Sequence, residues 1–276
     1  MTDRIPLAGV LGHPVAHSRS PRVHRHWLRR YGLPGHYVPL DVVPDDLEEV
    51  LRAMPRMGFV GANVTIPHKE TALRLCDLVT DRAALVGAVN TLIFREDGRI
   101  HGDNTDGYGF LASIRQTAPD WQPKAGPAVV FGAGGASRAV LVALLEAGVP
   151  EIRLSNRSRP RAEALRSEFG ARIKVHDWVK AGQTLEGAVT VVNATSLGMT
   201  GHTAFRVPLD ALEPGALVTD LVYQPLETDL LAQARARGCI MVDGLGMLLH
   251  QAVPGFERWF GHRPEVDAEL REAVLL

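Results

Sequence analysis

The chain has 276 residues, a formal net charge of −1 and 22% charged residues, a balance that excludes the dense basic field of a nucleic-acid binder. No apolar run is long enough to span a bilayer. The two cysteines, Cys76 and Cys239, stand apart without metal-ligand spacing. Met1-Thr-Asp-Arg-Ile-Pro6 lacks the layout of a secretory signal, so the expectation is a cytoplasmic chain of one or two domains. His24 and His26 lie two apart on a basic stretch and no H-E-x-x-H occurs, so no catalytic metal is expected.

Ile5 to Gly12 reads as a first strand ending at His13-Pro14. Ser20 before Pro21 predicts an N-cap with proline at the first helical position, opening a helix over Arg22 to Tyr31. Ser18 and Ser20 are thus expected at a helix N-terminus, either as caps or as a seat for a small carboxylate at the positive end of the dipole. His36 to Leu40 predicts a second strand. Pro44 to Met54 predicts a helix, because Leu47, Val50, Leu51 and Met54 keep helical spacing behind an acidic first turn.

In Phe59 to Lys69, strand alternation sets Asn63 and Thr65 on one face and Val64 and Ile66 on the other, with a helix starting at Pro67. Lys69 falls in the first turn of that helix, where the dipole disfavours a cation, so it is either a solvated lysine or a functional one. Ala84 to Phe94 reads as a strand-like run, followed by a hairpin at Glu96-Asp-Gly98. Asn90 and Asp106 interrupt apolar or glycine-rich surroundings. Asp103, Asn104 and Asp106 are turn-capping types, and a carboxylate near Lys69 would hold its ammonium and shape its protonation.

Gln122 to Pro127 is a boundary loop in composition, and from Pro127 a strand, tight turn and helix follow. Val129, Val130 and Phe131 suit a buried parallel strand, and Val140, Leu141, Leu144 and Leu145 recur at helical spacing. Between them Gly132 allows the turn and Gly134 lets backbone approach a pyrophosphate; Ser137 stands where the dinucleotide fingerprint has its third glycine. The next strand, Glu151 to Ser155, ends where an acid would grip the ribose of NAD, roughly 20 residues on. Asn156, Arg157 and Ser158 fall there instead, followed by Arg161, and an arginine fork suits the 2′-phosphate of NADP. Val189 to Ser196 and Ala216 to Val222 read as further strands, Thr200 to Arg206 as a loop able to move, and Gly246 to Trp259 and Glu265 to Leu275 as helices.

Taken together, Ser18-Arg-Ser-Pro21, Asn63-Val-Thr-Ile-Pro-His-Lys69, Gly87-Ala-Val-Asn-Thr91, Asn104-Thr-Asp106, Gly132-Ala-Gly-Gly-Ala-Ser137, Asn156-Arg-Ser158, Asn193-Ala-Thr-Ser196, Asp220-Leu-Val-Tyr-Gln-Pro225 and Asp243-Gly-Leu-Gly-Met-Leu-Leu-His-Gln251 resemble the shikimate dehydrogenase family along nearly the whole chain. The resemblance implies an α/β fold in which residues 1–106 and 243–276 form a substrate domain and 107–242 a Rossmann-like NADP domain, with C-terminal helices returning to the first domain and a cleft between the two. It implies Lys69 and Asp106 as the catalytic pair, and Ser18, Ser20, Asn63, Thr65, Asn90, Tyr223 and Gln251 as the substrate shell. For the cofactor it implies the turn Gly132, Ala133, Gly134, Gly135 and Ala136, then Asn156, Arg157, Ser158 and Arg161, and Thr195, Leu221 and Gly244; His250 is left structural. The implied reaction is the NADP-dependent reversible reduction of 3-dehydroshikimate to shikimate in aromatic amino-acid biosynthesis. The expected partner is that small-molecule substrate, with no nucleic acid and no membrane, and a homodimer is the assembly to test. The rivals are a dual quinate and shikimate dehydrogenase, whose NAD-preferring forms tend to carry an acid where Asn156 and Arg157 stand, and a non-catalytic NADP-binding regulator, against which intact Lys69 and Asp106 argue.

Overall fold

The computed structural model describes residues 5–276, so the leader expectation for Met1-Thr-Asp-Arg4 lies outside it. The chain divides into two compact units, Met1–Thr105 with Leu248–Leu276, and Asp106–Met247, and the units contain one six-stranded sheet each. Among the described residues no helix is long and apolar enough to cross a membrane, and no three His, Cys, Asp or Glu side chains converge on a metal position.

The first unit runs β1 (Leu7–Gly12), α1 (Ser20–Arg30), β2 (His36–Asp41), α2 (Leu47–Ala53), β3 (Phe59–Val64), α3 (Lys69–Leu75), β4 (Leu78–Val79), α4 (Asp81–Val86), β5 (Thr91–Phe94) and β6 (Ile100–Asp103). The sheet order is β2-β1-β3-β5-β6-β4. β1 pairs in parallel with β2 and β3, while β3, β5 and β6 are antiparallel neighbours. Leu11, Leu51, Ala62, Val64, Leu92 and Ile100 fill one core against it.

Four expectations shift here, each for a local reason. The first helix begins at Ser20 rather than after it: Arg19 is the N-cap, and the Ser18 hydroxyl accepts the Ser20 N–H at 3.3 Å. The helix foreseen over 44–54 is regular only over Leu47–Ala53, with 3-10 turns at Pro44–Asp46 and Met54–Met57, because Pro55 has no N–H to continue an α-ladder. β3 stops at Val64, so its alternation does not reach Ile66, which is 75% exposed. The Thr65 carbonyl accepts the His68 N–H instead, and α3 starts at Lys69 rather than at Pro67. Ala84–Val86 is helix, not strand: Thr80 caps α4 through its side chain, and Gly87 ends it at φ +71°. A short apolar run does not distinguish the two periods. The hairpin at Gly98 forms as expected, with φ +81° and the Gly98 N–H on the Arg95 carbonyl.

The second unit runs α5 (Asp106–Thr117), β7 (Ala128–Phe131), α6 (Gly135–Glu146), β8 (Ile152–Ser155), α7 (Arg159–Phe169), β9 (Ile173–His176), β10 (Thr190–Asn193), β11 (Leu217–Asp220), α8 (Asp229–Ala236) and β12 (Ile240–Val242). All strands are parallel, in the order β12-β11-β10-β7-β8-β9, so the chain reverses direction across the sheet between β7 and β10. That is the doubly wound order of a Rossmann sheet. The loop 122–127 lies inside this unit, since Phe110 and Ile114 of α5 share a core with Val140 and Leu144 of α6. The Thr200 to Arg206 loop is pinned at Phe205, 3% exposed and edge-on to Phe131.

Two helices close the chain, α9 (Gly244–Phe260) and α10 (Ala268–Leu275). From Leu248 onward α9 belongs to the first unit. There the Trp259 indole N–H donates to the Leu92 carbonyl at 3.0 Å, in space that Gly61 leaves free; any side chain at 61 would collide with the indole.

Candidate active site

In the first unit, residues from five separated segments meet in one buried hydrogen-bond lattice. The Asn63 amide donates to the Asn90 carbonyl at 3.1 Å and to the Thr91 hydroxyl at 3.3 Å, and its oxygen accepts the Tyr37 hydroxyl at 2.7 Å. The Asn90 amide donates to Thr105 Oγ1 at 3.0 Å and to Gln251 Oε1 at 3.3 Å, while its oxygen accepts the Thr105 N–H at 2.8 Å. Thr105 Oγ1 also donates to the Gln251 carbonyl at 2.8 Å. Asn63, Asn90, Thr105 and Gln251 are all buried. Such a lattice fixes each amide in one orientation, because a flipped amide would oppose donor to donor.

The other expected residues of the unit stand at the starts and ends of its elements. Ser20 is the buried first residue of α1, with half-buried Ser18 just ahead of it, and half-buried Thr65 directly follows β3. Lys69 opens α3, and its carbonyl accepts the Val89 N–H at 3.0 Å, tying that helix start to the segment leading into Asn90. Three lattice members were not singled out from sequence: Tyr37, Thr91 and Thr105. Thr91 and Thr105 sit inside motifs that carried the resemblance, which was the available signal; Tyr37 is the one buried residue of an otherwise exposed or half-buried strand.

Beneath the lattice lies a charged cluster that turn chemistry alone did not reveal. Asp103 is fully buried at the end of β6, yet its carboxylate accepts Arg82 at 2.9 Å, Arg258 of α9 at 2.7 Å and the Thr80 hydroxyl at 2.7 Å. Burial raises its pKa, but these donors outweigh it and hold the carboxyl below the usual range. Asp106, also buried, follows three residues later as the first residue of α5 and of the second unit.

In the second unit the glycine turn stands where the sheet reverses. Gly132, at φ +110°, admits no side chain: a Cβ would meet the Ala194 carbonyl oxygen and Thr195 Cγ2, each at 2.9 Å. The Asn156 side chain accepts the Ala133 N–H at 3.2 Å and donates to the Ser158 carbonyl at 2.8 Å, locking the turn to the end of β8. Ser137 accepts the Gly134 N–H at 3.2 Å, a use for the hydroxyl that replaces the third glycine. Gly135 and Ala136 open α6, where first-turn N–H groups have no intrahelical acceptor. A Cβ on Gly134 or Gly135 would meet nothing within 4 Å, so the turn has an open face. Arg157 and Arg161 are exposed after β8 and carry no ion pair among the described residues, whereas Arg159 is engaged by Asp177 and Glu163. The open turn, the free amides and the unpaired arginines fit a pyrophosphate with a further phosphate.

Thr195, Leu221 and Gly244 gather nearby. Thr195 donates to the Asn193 side chain at 2.7 Å, the Leu221 N–H to the Asn193 carbonyl at 2.9 Å, and a Cβ on Gly244 would strike the Leu221 carbonyl. Asn193 is itself held by buried Asp220, which also accepts the Thr228 hydroxyl at 2.7 Å; burial raises the pKa of that carboxyl. Tyr223 follows, half-buried, three residues beyond β11.

A parallel sheet in this order, with an open glycine turn at its reversal and a separate unit holding a buried amide lattice, defines a two-domain nucleotide-dependent dehydrogenase. The family models agree along the chain: the shikimate dehydrogenase substrate binding domain matches residues 10–92, shikimate / quinate 5-dehydrogenase 116–200, and the shikimate 5′-dehydrogenase C-terminal domain 244–274. Shikimate dehydrogenase (NADP(+)) of Cereibacter sphaeroides is 73% identical over 99% of this chain and 98% of its own length. The crystal structure of shikimate 5-dehydrogenase from Thermus thermophilus with NADP(H) and shikimate is 39% identical, with TM-score 0.87 over 99% of both chains. Quinate dehydrogenase from Corynebacterium glutamicum with NAD is 34% identical, with TM-score 0.91 over 98% of both. The chain belongs to the shikimate dehydrogenase family.

Proposed function

We propose that this chain reduces the ring ketone of 3-dehydroshikimate to the hydroxyl of shikimate, reversibly and with NADP, in the chorismate route to aromatic amino acids. The observation that carries the reading is the buried lattice of Asn63, Asn90, Thr105 and Gln251. Fixed amides and hydroxyls suit a polyhydroxy ring, and a pocket built this way rejects analogues that leave its partners unpaired. In this reading Asn63, Thr65, Asn90 and Gln251 hold ring hydroxyls. Ser18, Ser20 and Tyr223 hold the carboxylate, supported by the start of α1 and by a stretch from Val15 to Leu40 that contains no acid.

Bound NADP(H) would supply or take up the hydride at the ring carbon. The chain's own groups handle the oxygen: the Lys69 ammonium donates to it, stabilises negative charge as it develops and marks where the proton is delivered, with Asp106 orienting the ammonium. Residues Gly132 to Ala136 would hold the pyrophosphate, Asn156, Arg157, Ser158 and Arg161 the 2′-phosphate, and Thr195, Leu221 and Gly244 flank the cofactor. This distribution supports assigning 1–106 with 243–276 to substrate and 107–242 to NADP, with Tyr223 and Gly244 as the two members that cross the division. Two free cysteines suit a reducing cytoplasm, burial pushing the Cys76 thiol up to about 12, and a homodimer is the assembly proposed for sedimentation analysis.

The test crosses shikimate and quinate against NADP and NAD in four initial-rate assays. The expected result is a dominant rate with shikimate and NADP. Comparable quinate or NAD turnover would place the chain with the dual-specificity relatives; silence in all four, with NADP bound, would make it a sensor.

A further inference from the structure

In the first unit a groove of about 840 Å³ runs between α1 and the edge strand β2. Its apolar side is made by Leu28, Leu33 and Val38, the last 38% exposed. Along its rim stand Arg22, Arg25 and Arg29, at the i, i+3, i+7 spacing that places three side chains on one helix face. Their charge is uncompensated. None of the three has a carboxylate within salt-bridge range among the described residues, in contrast to the next arginine, Arg30, which pairs with Asp267 at 2.6 Å. From Val15 to Leu40 the sequence contains five arginines, four histidines and no acid, in a chain whose net charge is −1. Arg25 is also preorganised, its Nε donating to the Pro21 carbonyl at 3.0 Å.

An edge strand invites pairing with another strand, but this one is blunted. The His36 and Val42 N–H groups donate inward, to Pro6 and Gly12, so by alternation Tyr37, Pro39 and Asp41 turn their backbone outward, and Pro39 has no N–H to give. A twofold contact centred here would set two arginine stripes against each other. A concave apolar surface with convergent cations is instead the signature of a small-ligand site.

We propose that this groove is a second binding site, for an amphipathic organic acid whose apolar or aromatic body rests on Leu28, Leu33 and Val38 and whose carboxylate or phosphate is held by Arg22, Arg25 and Arg29. The groove includes Ser18 at one end, so the test must separate it from the substrate position. The full chain, saturated with NADPH and shikimate, a pair that does not react, is titrated calorimetrically with 2-naphthoate and with the uncharged 2-naphthamide. One-to-one binding of the acid but not the amide is expected, weakened at least tenfold in the R22Q/R25Q double variant, whose melting temperature and turnover should match the parent. A phosphate-bearing aromatic, 2-naphthyl phosphate, is the second arm and distinguishes phosphate from carboxylate as the preferred head group. The proposal is overturned if neither acid binds saturably, if the double variant binds as well as the parent, or if binding appears only when shikimate is omitted. A concentration-dependent dimer in sedimentation that the double variant abolishes would assign the groove to a second copy and equally overturn it.

Discussion

The Asn90 amide donates to Gln251 Oε1 at 3.3 Å across 161 positions of sequence, and Gln251 Nε2 donates in turn to the Leu248 carbonyl at 3.0 Å. Helix α9 thereby completes a lattice begun on β3 and β5. Replacing Gln251 by Ala leaves a buried Asn90 N–H with one partner fewer and removes a hydroxyl-reading group. The KM for shikimate should rise about tenfold to a hundredfold, from a cost of about 1–3 kcal/mol for an unsatisfied buried group. The KM for NADP should stay put in the same rate measurements, and equal rises in both would show that Gln251 acts on the fold rather than on the substrate.

Lys69→Ala should fold and bind NADP while kcat falls by about 10²–10⁴, the usual worth of a positioned acid or base. Single-turnover rates and a fluorescence titration with NADPH separate the two effects. Turnover comparable to the parent would remove Lys69 from the mechanism.

How much of this was readable from sequence depends on the range over which each feature is determined. The strand, turn and helix at Val129 to Leu145 were legible because hydrophobic period, glycine position and helix start agree within one short segment. The same local logic failed at Ala84–Val86, where a helix cap at Thr80 decides what an apolar run cannot, and at Ile66, which falls in the turn after β3 that the His68 N–H closes on the Thr65 carbonyl. The lattice was half legible: Asn63 came from alternation and Asn90 from its apolar surroundings, but Gln251 entered only through resemblance, and Tyr37 not at all. Nothing in the local pattern announces that Asp103 and Arg258, 155 residues apart, share an ion pair. Turn capping, which the Asp103 side chain also performs on the Asn104 N–H at 2.7 Å, was the visible fraction of its role.

Arg157→Ala should lower kcat/KM for NADP about tenfold to a hundredfold, since hydrogen bonds between charged groups are worth about 1.5–3 kcal/mol. With NAD, which has no 2′-phosphate, the change should stay within about threefold. Parallel titrations of the two cofactors check this. An equal loss with both would mean that Arg157 steadies the end of β8 and that the phosphate is read elsewhere.

Asp103→Asn keeps the shape of the cluster and deletes its anion. Because the folded carboxyl is held below its ordinary value, its charge stabilises the fold above about pH 4 and loses that contribution as pH falls through the depressed pKa. Urea unfolding at pH 7 should show a loss of about 2 kcal/mol, below the usual figure for breaking a buried pair, because Arg82 and Arg258 remain 39% and 40% exposed. The gap between parent and variant should narrow at pH 3.5. A gap independent of pH would mean that shape, and not charge, is what Asp103 contributes.

His24 gives the opposite sign of argument at the other end of the titration range. Its ring is fully buried, stacked 3.9 Å from Tyr37 at 2° and edge-on to Trp27, and neither nitrogen finds a partner of hydrogen-bonding geometry among the described residues. Burial pushes its pKa down to about 3; Asn63, close by without a well-formed bond, opposes that shift. The unfolded chain takes up this proton near pH 6.5, so below that value the unfolded state binds more protons and the fold loses about 1.4 kcal/mol per pH unit until the folded ring itself titrates. His24→Phe preserves an aromatic ring against Tyr37 and has nothing to protonate. Whatever packing change it introduces is the same at every pH, so the parent's stability relative to the variant should fall by about 2 kcal/mol between pH 7.5 and pH 5 in denaturant titrations. A constant difference across that interval would show that His24 is protonated in the fold, or that water reaches its ring.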